Sequence, residues 1–506
     1  MTSRQKATLL AAGFLILLVI FAASRVAAGP RLQEPEFALL VTTTEDHNDG
    51  FCNADCSLRE AIIAANQSDY HATILLPSGT YTLTLEGSGE DSAETGDLDI
   101  LSGLTIIGDG QETTIIDAAG LTGQPDRVFD IHADSLAAAY DVGLWGVTIT
   151  GGHAGTGEGG GIRNDVYARV ALYHSSVRAN SAKEGGGIHT TVGPLQLVYS
   201  TVSENSAHDG GGLYIKAARA ELDHTSIIGN VATRSGGGIY SSSCPSVHLQ
   251  RANVSANSAA AMGGGMYIYA CTQTLLHSTI SDNHAEQGGG IYVFIGLLTL
   301  DHSTVNGNTA ESNGGGMVIA SHFDHPAILV DSTITGNSAG TDGGGISTID
   351  GCYLELHSTT VSENSALNGG GVDAGVGETR LHNTIVALNP AGGDCYQKYF
   401  VSLGHNLDSD GSCYLDLAKG DLPNTDPRLG PLQDNGGPTL THALSPQSPA
   451  LDAGDNLDCP TTDQRGFARP MDGNGDGTAT CDIGAFEHLG LRARLPLVFN
   501  SYGPAP

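Results

Sequence analysis

The chain has 506 residues, of which 70 are glycine, 22 basic and 55 acidic, for a net charge of −33. Apolar residues at 40% exclude a disordered chain, and glycines in triplets rather than at every third position exclude collagen. The charge excludes nucleic acid, which needs a basic footprint, and disfavours anionic lipid surfaces.

Arg4 and Lys6 precede an apolar stretch from Ala7 to Ala23, and Val26-Ala27-Ala28 offers small residues for cleavage. Residues 1–28 therefore read as a secretory signal. An uncleaved anchor is the alternative, but the run is short for a span. Nothing later is long and apolar enough to cross a bilayer, so no transmembrane span is expected once the signal is removed. Export permits disulfides. Eight of the nine cysteines fall into local pairs: Cys52/Cys56, Cys244/Cys271, Cys395/Cys413 and Cys459/Cys481, with Cys352 left over. None has the CxxC spacing of a zinc site.

Residues 29–71 read as an N-terminal cap. Ser57 and Glu60 make a capping-box pattern, and Leu58, Ala61, Ile62 and Ala65 share one helix face. The spacing predicts a short amphipathic helix that plugs the open end of a solenoid. Residues 72–390 are repetitive. Irregular strands are expected at Thr73–Leu76, Leu104–Ile107, Thr114–Ile116, Val128–Ile131 and Val147–Ile149.

Glycine triplets then begin at Gly159, Gly185, Gly210, Gly236, Gly263, Gly288, Gly314, Gly343 and Gly369, marking nine coils of about 26 residues. An asparagine column keeps the same beat: Asn180, Asn205, Asn230, Asn257, Asn283, Asn308, Asn337, Asn364 and Asn389. Ser, Thr, Val and Ile in short alternating runs leave no room for a helix. Stacked coils with parallel strands follow, each rising ~4.8 Å. Glycine supplies turns with positive φ, and asparagine tolerates such turns and can hydrogen-bond along its column. Cys244 and Cys271 hold the same position on consecutive coils, a separation that a disulfide can bridge. Cys352 lies three coils further on.

With its Gly-Gly-Gly-Ile-Tyr units, the repeat resembles the right-handed parallel β-helix of the pectate-lyase-like superfamily and of polymorphic outer-membrane protein repeats. The resemblance implies an all-β, right-handed parallel β-helix. Cys56-Ser57-Leu58-Arg59-Glu60-Ala61 resembles the CSLREA domain, which marks exported β-helix proteins. A catalytic reading of Arg59 and Glu60 is the alternative. Residues 391–488 read as a C-terminal cap. Within them Asp434-Asn435-Gly436-Gly437-Pro438, Asp463-Gln464-Arg465-Gly466 and Asp482-Ile483-Gly484-Ala485-Phe486-Glu487 resemble the choice-of-anchor Q domain of surface β-helix proteins. Residues 489–506 are a short tail without a sorting signal.

Three features could carry chemistry. Asp472, Asn474, Asp476 and Thr478 match the start of a calcium loop, with Asp482 near its end and the Cys459/Cys481 bridge closing it. A plain Gly/Asp turn is the alternative. Structural Ca2+ is the one cofactor expected, and no organic cofactor. Next, the aliphatic residue after each triplet should face inward and its neighbour outward. The outward column reads Arg163, His189, Tyr214, Tyr240, Tyr267, Tyr292, Val318, Ser347 and Asp373. Tyr269 and Phe294 widen it. Such a ladder is a candidate glycan platform, against the plainer reading of rings that stabilise a sheet surface. Finally His174, His224, His277, His302, His357 and His382 recur before a turn, with Tyr199, Arg251 and Asp331 filling gaps. Metal binding is weighed there against a turn-stacking ladder.

The leading expectation is an exported, non-catalytic surface or secreted protein, structural or adhesive, with extracellular glycans or cell-envelope components as partners. The alternative is a polysaccharide lyase or glycoside hydrolase. No catalytic residue is assigned. Asp165, Lys216 and Asp373 lie on separate coils, and the negative charge would repel a polyuronate.

Overall fold

A computed structural model describes residues 37–132, 139–165, 167–321, 326–349 and 351–490. The expected secretory signal and nearly all of the tail lie outside them. No helix among the described residues is long and apolar enough to cross a membrane.

One coil shows how the chain is wound. Ile188–Thr191 lies in sheet I, Leu195–Val198 in sheet II, Thr201–Ser203 in sheet III and Ser206–Asp209 in sheet IV. Gly210-Gly211-Gly212 then leads back to sheet I at Leu213–Lys216. Each strand pairs in parallel with its counterpart one coil on. Sheets I to IV hold 12, 14, 13 and 6 strands among the described residues, so the chain is an all-β parallel β-helix. The aliphatic residue after each triplet is sealed in the core, from Ile162 and Ile188 to Ile346 and Val372, all at 0% exposure. The expected early strands form within a residue or two of their predicted bounds. Phe37–Leu40, Gly79–Thr82, Leu98–Ile100 and Asp141–Trp145 are further strands that the pattern did not reveal.

The asparagine column is a continuous hydrogen-bonded ladder. Asn257 Nδ2 donates to Asn283 Oδ1 at 3.0 Å and to the Ile227 carbonyl at 2.9 Å. Its own Oδ1 accepts from the backbone N–H of Asn230 at 2.9 Å and from Asn230 Nδ2 at 3.0 Å. The same pattern runs to Asn389, whose Nδ2 ends on Asp394 Oδ1 at 2.9 Å. Positive φ accounts for only the first glycine of each triplet, such as Gly263 at +65°. The middle glycine answers to close stacking. A Cβ on Gly264 would sit 2.3 Å from the His284 carbonyl oxygen and 2.4 Å from that of Gly289.

The N-terminal helix forms at Leu58–Asn66, with the Ser57/Glu60 capping box in place. Arg59 is fully buried and acts as a tie. It donates to Asp46 Oδ1 at 2.7 Å and to the carbonyls of Ala93, Gly96 and Asp97 at 2.9–3.2 Å. Arg59 and Glu60 thus hold the cap together, rather than facing a substrate.

The C-terminal region departs from a simple end cap. Cys395–Tyr396, Phe400–Gly404 and Leu407–Asp408 continue the sheets, and a short turn of helix follows at Leu417–Lys419. Residues beyond Leu429 fold back along the outward face of sheet III. Its threonine column receives them: Gln464 Nε2 donates to Thr304 Oγ1 at 2.8 Å, Thr333 Oγ1 donates to Gln464 Oε1 at 2.6 Å, and the Ala485 N–H donates to Thr360 Oγ1 at 3.0 Å. Behind this seam Arg469 lies between Asp331 at 3.7 Å and Glu487 at 3.5 Å, all three nearly or fully buried. The disulfides Cys52–Cys56, Cys244–Cys271, Cys395–Cys413 and Cys459–Cys481 are all present. Cys352 is buried, and its Sγ accepts from the Ser321 N–H at 3.1 Å.

Two outcomes follow from these contacts. Asn257→Ala removes the acceptor of the buried Asn230 N–H and one donor each from the Ile227 carbonyl and Asn283 Oδ1, with roughly 1–3 kcal/mol for the N–H left unpaired. A urea titration should show a clearly lower midpoint, and an unchanged one would mean that the ladder contributes nothing. Burial pushes the Asp331 carboxyl up from 3.8 to about 7 despite Arg469. Its share of stability is complete below the unfolded value and is lost as pH rises through about 7. Between pH 6 and pH 9 the wild type should therefore lose more stability than Asp331→Asn. Equal losses would contradict this.

Candidate functional site

An open concavity lies on the outward face of sheet II, a groove of about 460 Å³. Its floor is a row of small residues. Thr105, Gly143 and Ala171 stack in register, with Gln196 and Glu221 continuing the row. Where side chains are missing the neighbouring rows become walls. On one side Asp141 and Arg169, register partners, form an ion pair. On the other, Trp145 stacks on Tyr173 with ring centroids 4.0 Å apart. Trp145 remains 41% exposed. The Tyr173 hydroxyl donates to Gln196 Oε1 at 2.9 Å, which holds the far wall. Arg219 and Glu221 line the end. An aromatic wall opposite fixed charges and an amide suits a ligand with both C–H faces and hydroxyls.

The expected outward column of sheet I is real in register, running Arg163, His189, Tyr214, Tyr240, Tyr267, Tyr292, Val318, Ser347, Asp373. The rings stack 4.8 Å apart from Tyr214 to Tyr240, 4.9 Å to Tyr267 and 5.7 Å to Tyr292. Their faces are therefore spent on one another. Tyr214, Tyr267 and Tyr292 are buried, and burial raises the Tyr214 and Tyr267 hydroxyl pKa values. Val318 and Ala320 extend this packed cluster, with Met262 against it. Tyr269 is exposed and Phe294 partly so, the pair stacking at 5.7 Å.

Upstream the same column carries charge that sequence inspection missed. Asp99 pairs with Asp130, and Asp130 with Arg163. Arg127 Nη1 donates to Asp97 Oδ2 at 3.0 Å and to Asp130 Oδ2 at 2.7 Å, and Arg163 Nη1 donates to Asp130 Oδ2 at 3.0 Å. Burial and neighbouring carboxylates push Asp97 up to about 8, while burial lifts Asp99 to about 7. Next along, His189 is buried, with Glu158 at 3.7 Å and Glu184 at 3.9 Å. Burial, reinforced by Arg163, pushes it down to about 4, so it is neutral at neutral pH. Acidic and basic groups do converge here, from the coils before the first triplet into the first two triplet-marked coils.

The histidine column needs a correction. His174, Tyr199, His224, Arg251, His277, His302 and Asp331 occupy one positive-φ turn position between sheets II and III, but Ser358 and Asn383 complete it. His357 and His382 fall one residue earlier, at the ends of sheet II strands. The spacing from the asparagine ladder would have shown this. Rings in the column stack, as His174 on Tyr199 at 5.1 Å and Tyr199 on His224 at 4.5 Å. The calcium-loop residues are engaged in turns. Asp472 accepts from the N–H groups of Gly475 and Gly477, Asn474 from that of Asp476, and Asp476 from that of Thr478. Asp482 is not brought to them. It is buried, accepting from the N–H groups of Asp452 and His488, and burial beside Glu487 raises its pKa.

A profile of the Chlamydia polymorphic membrane protein (Chlamydia_PMP) repeat matches residues 224–242. No curated protein matches the chain. Among solved structures, the A-module of the Azotobacter vinelandii mannuronan C-5 epimerase AlgE4 is 15% identical, covering 59% of this chain and 89% of its own at a TM-score of 0.34. Pectate lyase Pel9A is 12% identical, with coverage of 90% and 96% and a TM-score of 0.35. Similarity this low assigns no activity.

The tyrosine column is packing, and its loss should read as such. Tyr267→Ala removes a buried ring from between two others, at roughly 3 kcal/mol. Chemical denaturation would measure it, and a loss near zero would mean that the ring is not part of the packed column.

Proposed function

We propose that this chain is an exported, non-catalytic surface or secreted protein that binds neutral glycans in the sheet II groove. The observation that carries the reading is the exposed Trp145–Tyr173 stack, facing the Asp141–Arg169 pair across a floor of small residues. A sugar ring offers C–H groups to an aromatic surface and hydroxyls to a carboxylate, guanidinium or amide. The floor row runs over five coils, roughly 19 Å at the strand spacing, which suits a short stretch of chain. The overall charge of −33 favours neutral over acidic polymers. Four disulfides fit an oxidising, extracellular setting. The polymorphic membrane protein repeat and the resemblance of the two ends to CSLREA and choice-of-anchor Q domains support the cell surface.

The charged cluster of sheet I is the place for an enzymatic alternative, and its burial speaks against that. Asp97, Asp99 and Asp130 are at most 3% exposed, which leaves a polymer no approach to the carboxylates.

The test is a glycan screen followed by calorimetry with neutral and uronate oligosaccharides. The wild type should bind a neutral oligosaccharide without cleaving it. Trp145→Ala and Arg169→Ala should each weaken binding about tenfold or more, equivalent to about 1.4 kcal/mol. Binding unaffected by both substitutions, or no binding to any glycan, would sink the proposal. Release of shorter products would favour the enzyme.

A further inference from the structure

We infer that Asp99, Asp130 and His132 form a binding site for one transition-metal dication of the zinc class. Asp99 and Asp130 are register neighbours on adjacent coils of sheet I. His132 is two residues beyond Asp130 on the same strand, so it projects from the same face. Ligand atoms of the three lie within 4.8 Å of one another.

The independent sign of a ligand is what these atoms lack. Asp99 Oδ1, Asp130 Oδ1 and His132 Nδ1 are all buried without a hydrogen-bond partner among the described residues. Asp99 is 0% exposed and Asp130 3%. Buried carboxylate oxygens are seldom left this way, because the desolvation is uncompensated. His132 Nδ1 stands 3.8 Å from Asp130 Oδ1, an ion-pair distance too long for a hydrogen bond, with space for an ion between the two atoms.

The other oxygens are already assigned. Asp130 Oδ2 accepts from Arg127 and Arg163, and Asp99 Oδ2 accepts from the Ala93 N–H at 2.7 Å. Each carboxylate is thereby oriented by one oxygen and presents the other. The Tyr140 hydroxyl bridges the carbonyls of Ile100 at 2.5 Å and His132 at 2.8 Å, tying the two ligand-bearing strands at their ends. Arg127 and Arg163 pair with Asp97 and Asp130, and among the described residues no ion pair reaches Asp99. Two carboxylate oxygens with one imidazole nitrogen select zinc or a similar first-row ion over calcium, which takes oxygen ligands alone. His132 is partly exposed and gives an ion access.

The experiment uses the full chain, stripped with chelator and titrated with ZnCl2 and CaCl2 by calorimetry, with thermal melts alongside. One zinc ion per chain and a zinc-dependent rise in Tm are expected. Asp99→Asn and His132→Ala should each weaken zinc binding by roughly tenfold or more and abolish the Tm shift. Circular dichroism checks that both fold, and the partly exposed His132 provides the safer variant. Asp472→Asn, in the distant calcium-like loop, should bind zinc as the wild type does. Absence of stoichiometric zinc binding, zinc binding unchanged in both variants, or calcium bound more tightly than zinc would each overturn the inference.

Discussion

Buried amide groups that can be satisfied only by the coil above and the coil below set the geometry of this protein. Each asparagine of the ladder satisfies the turn N–H of the preceding coil and donates to the following one, so a coil cannot slip without breaking bonds on both sides. The middle glycines reinforce the constraint by letting backbones approach to distances that any side chain would block. Register fixed in this way turns sequence period into spatial columns. An outward residue meets its equivalents one coil away, whatever they are. Sites on this protein are therefore built by what is placed in a column, not by loops that converge from different elements.

That is why so much of the fold could be read from the sequence, and why the candidate sites could not. Triplets and asparagines mark coils from Gly159 onward, and there the outward column from Arg163 to Asp373 is in the register expected. Asp99, Asp130 and Trp145 lie on coils without either marker. Their partners Arg163 and Tyr173 were visible, but nothing in the local pattern joined them. The pairing Trp145 to Tyr173 follows once Ile149 is aligned with Val177. The one-residue offset at His357 and His382 has a different origin: their coils carry both markers, and these histidines stand seven residues before the ladder asparagine where the turn position stands six before it. Burial was less legible still. Alternation says that Tyr214 and Tyr267 leave the core side of sheet I, but not that stacking would close their faces.

Scarce positive charge is spent where carboxylates are buried. Arg59 ties the N-terminal cap to the loop that precedes Asp97. Arg127 and Arg163 hold Asp130, and Arg469 stands between Asp331 and Glu487. The remaining acidic excess is largely solvated, where it costs little and keeps copies of the chain apart. Sequence arithmetic shows the imbalance but not this local division. Around Asp130 and around Arg469 the carboxylates still outnumber the arginines, which is the condition under which a bound proton becomes part of the folded state.

The four sheets differ in how much of their outward face is covered among the described residues. Sheet III is covered over Thr304, Thr333 and Thr360 by the returning C-terminal segment. Sheet I is filled along its column by charge clusters and then by stacked rings. Sheet IV is short, and its alanines, such as Ala232, Ala259 and Ala285, are packed away. Sheet II combines exposure with relief, because Gly143 and Ala171 lower its floor between two tall rows. A Cβ on Gly143 would lie 3.3 Å from Trp145 Nε1 and 3.2 Å from Thr105 Oγ1. Even one added carbon there would crowd the indole against its neighbours and fill the groove from below. The smallness of these floor residues, as much as the aromatic wall, is what makes the face a groove rather than a flat surface.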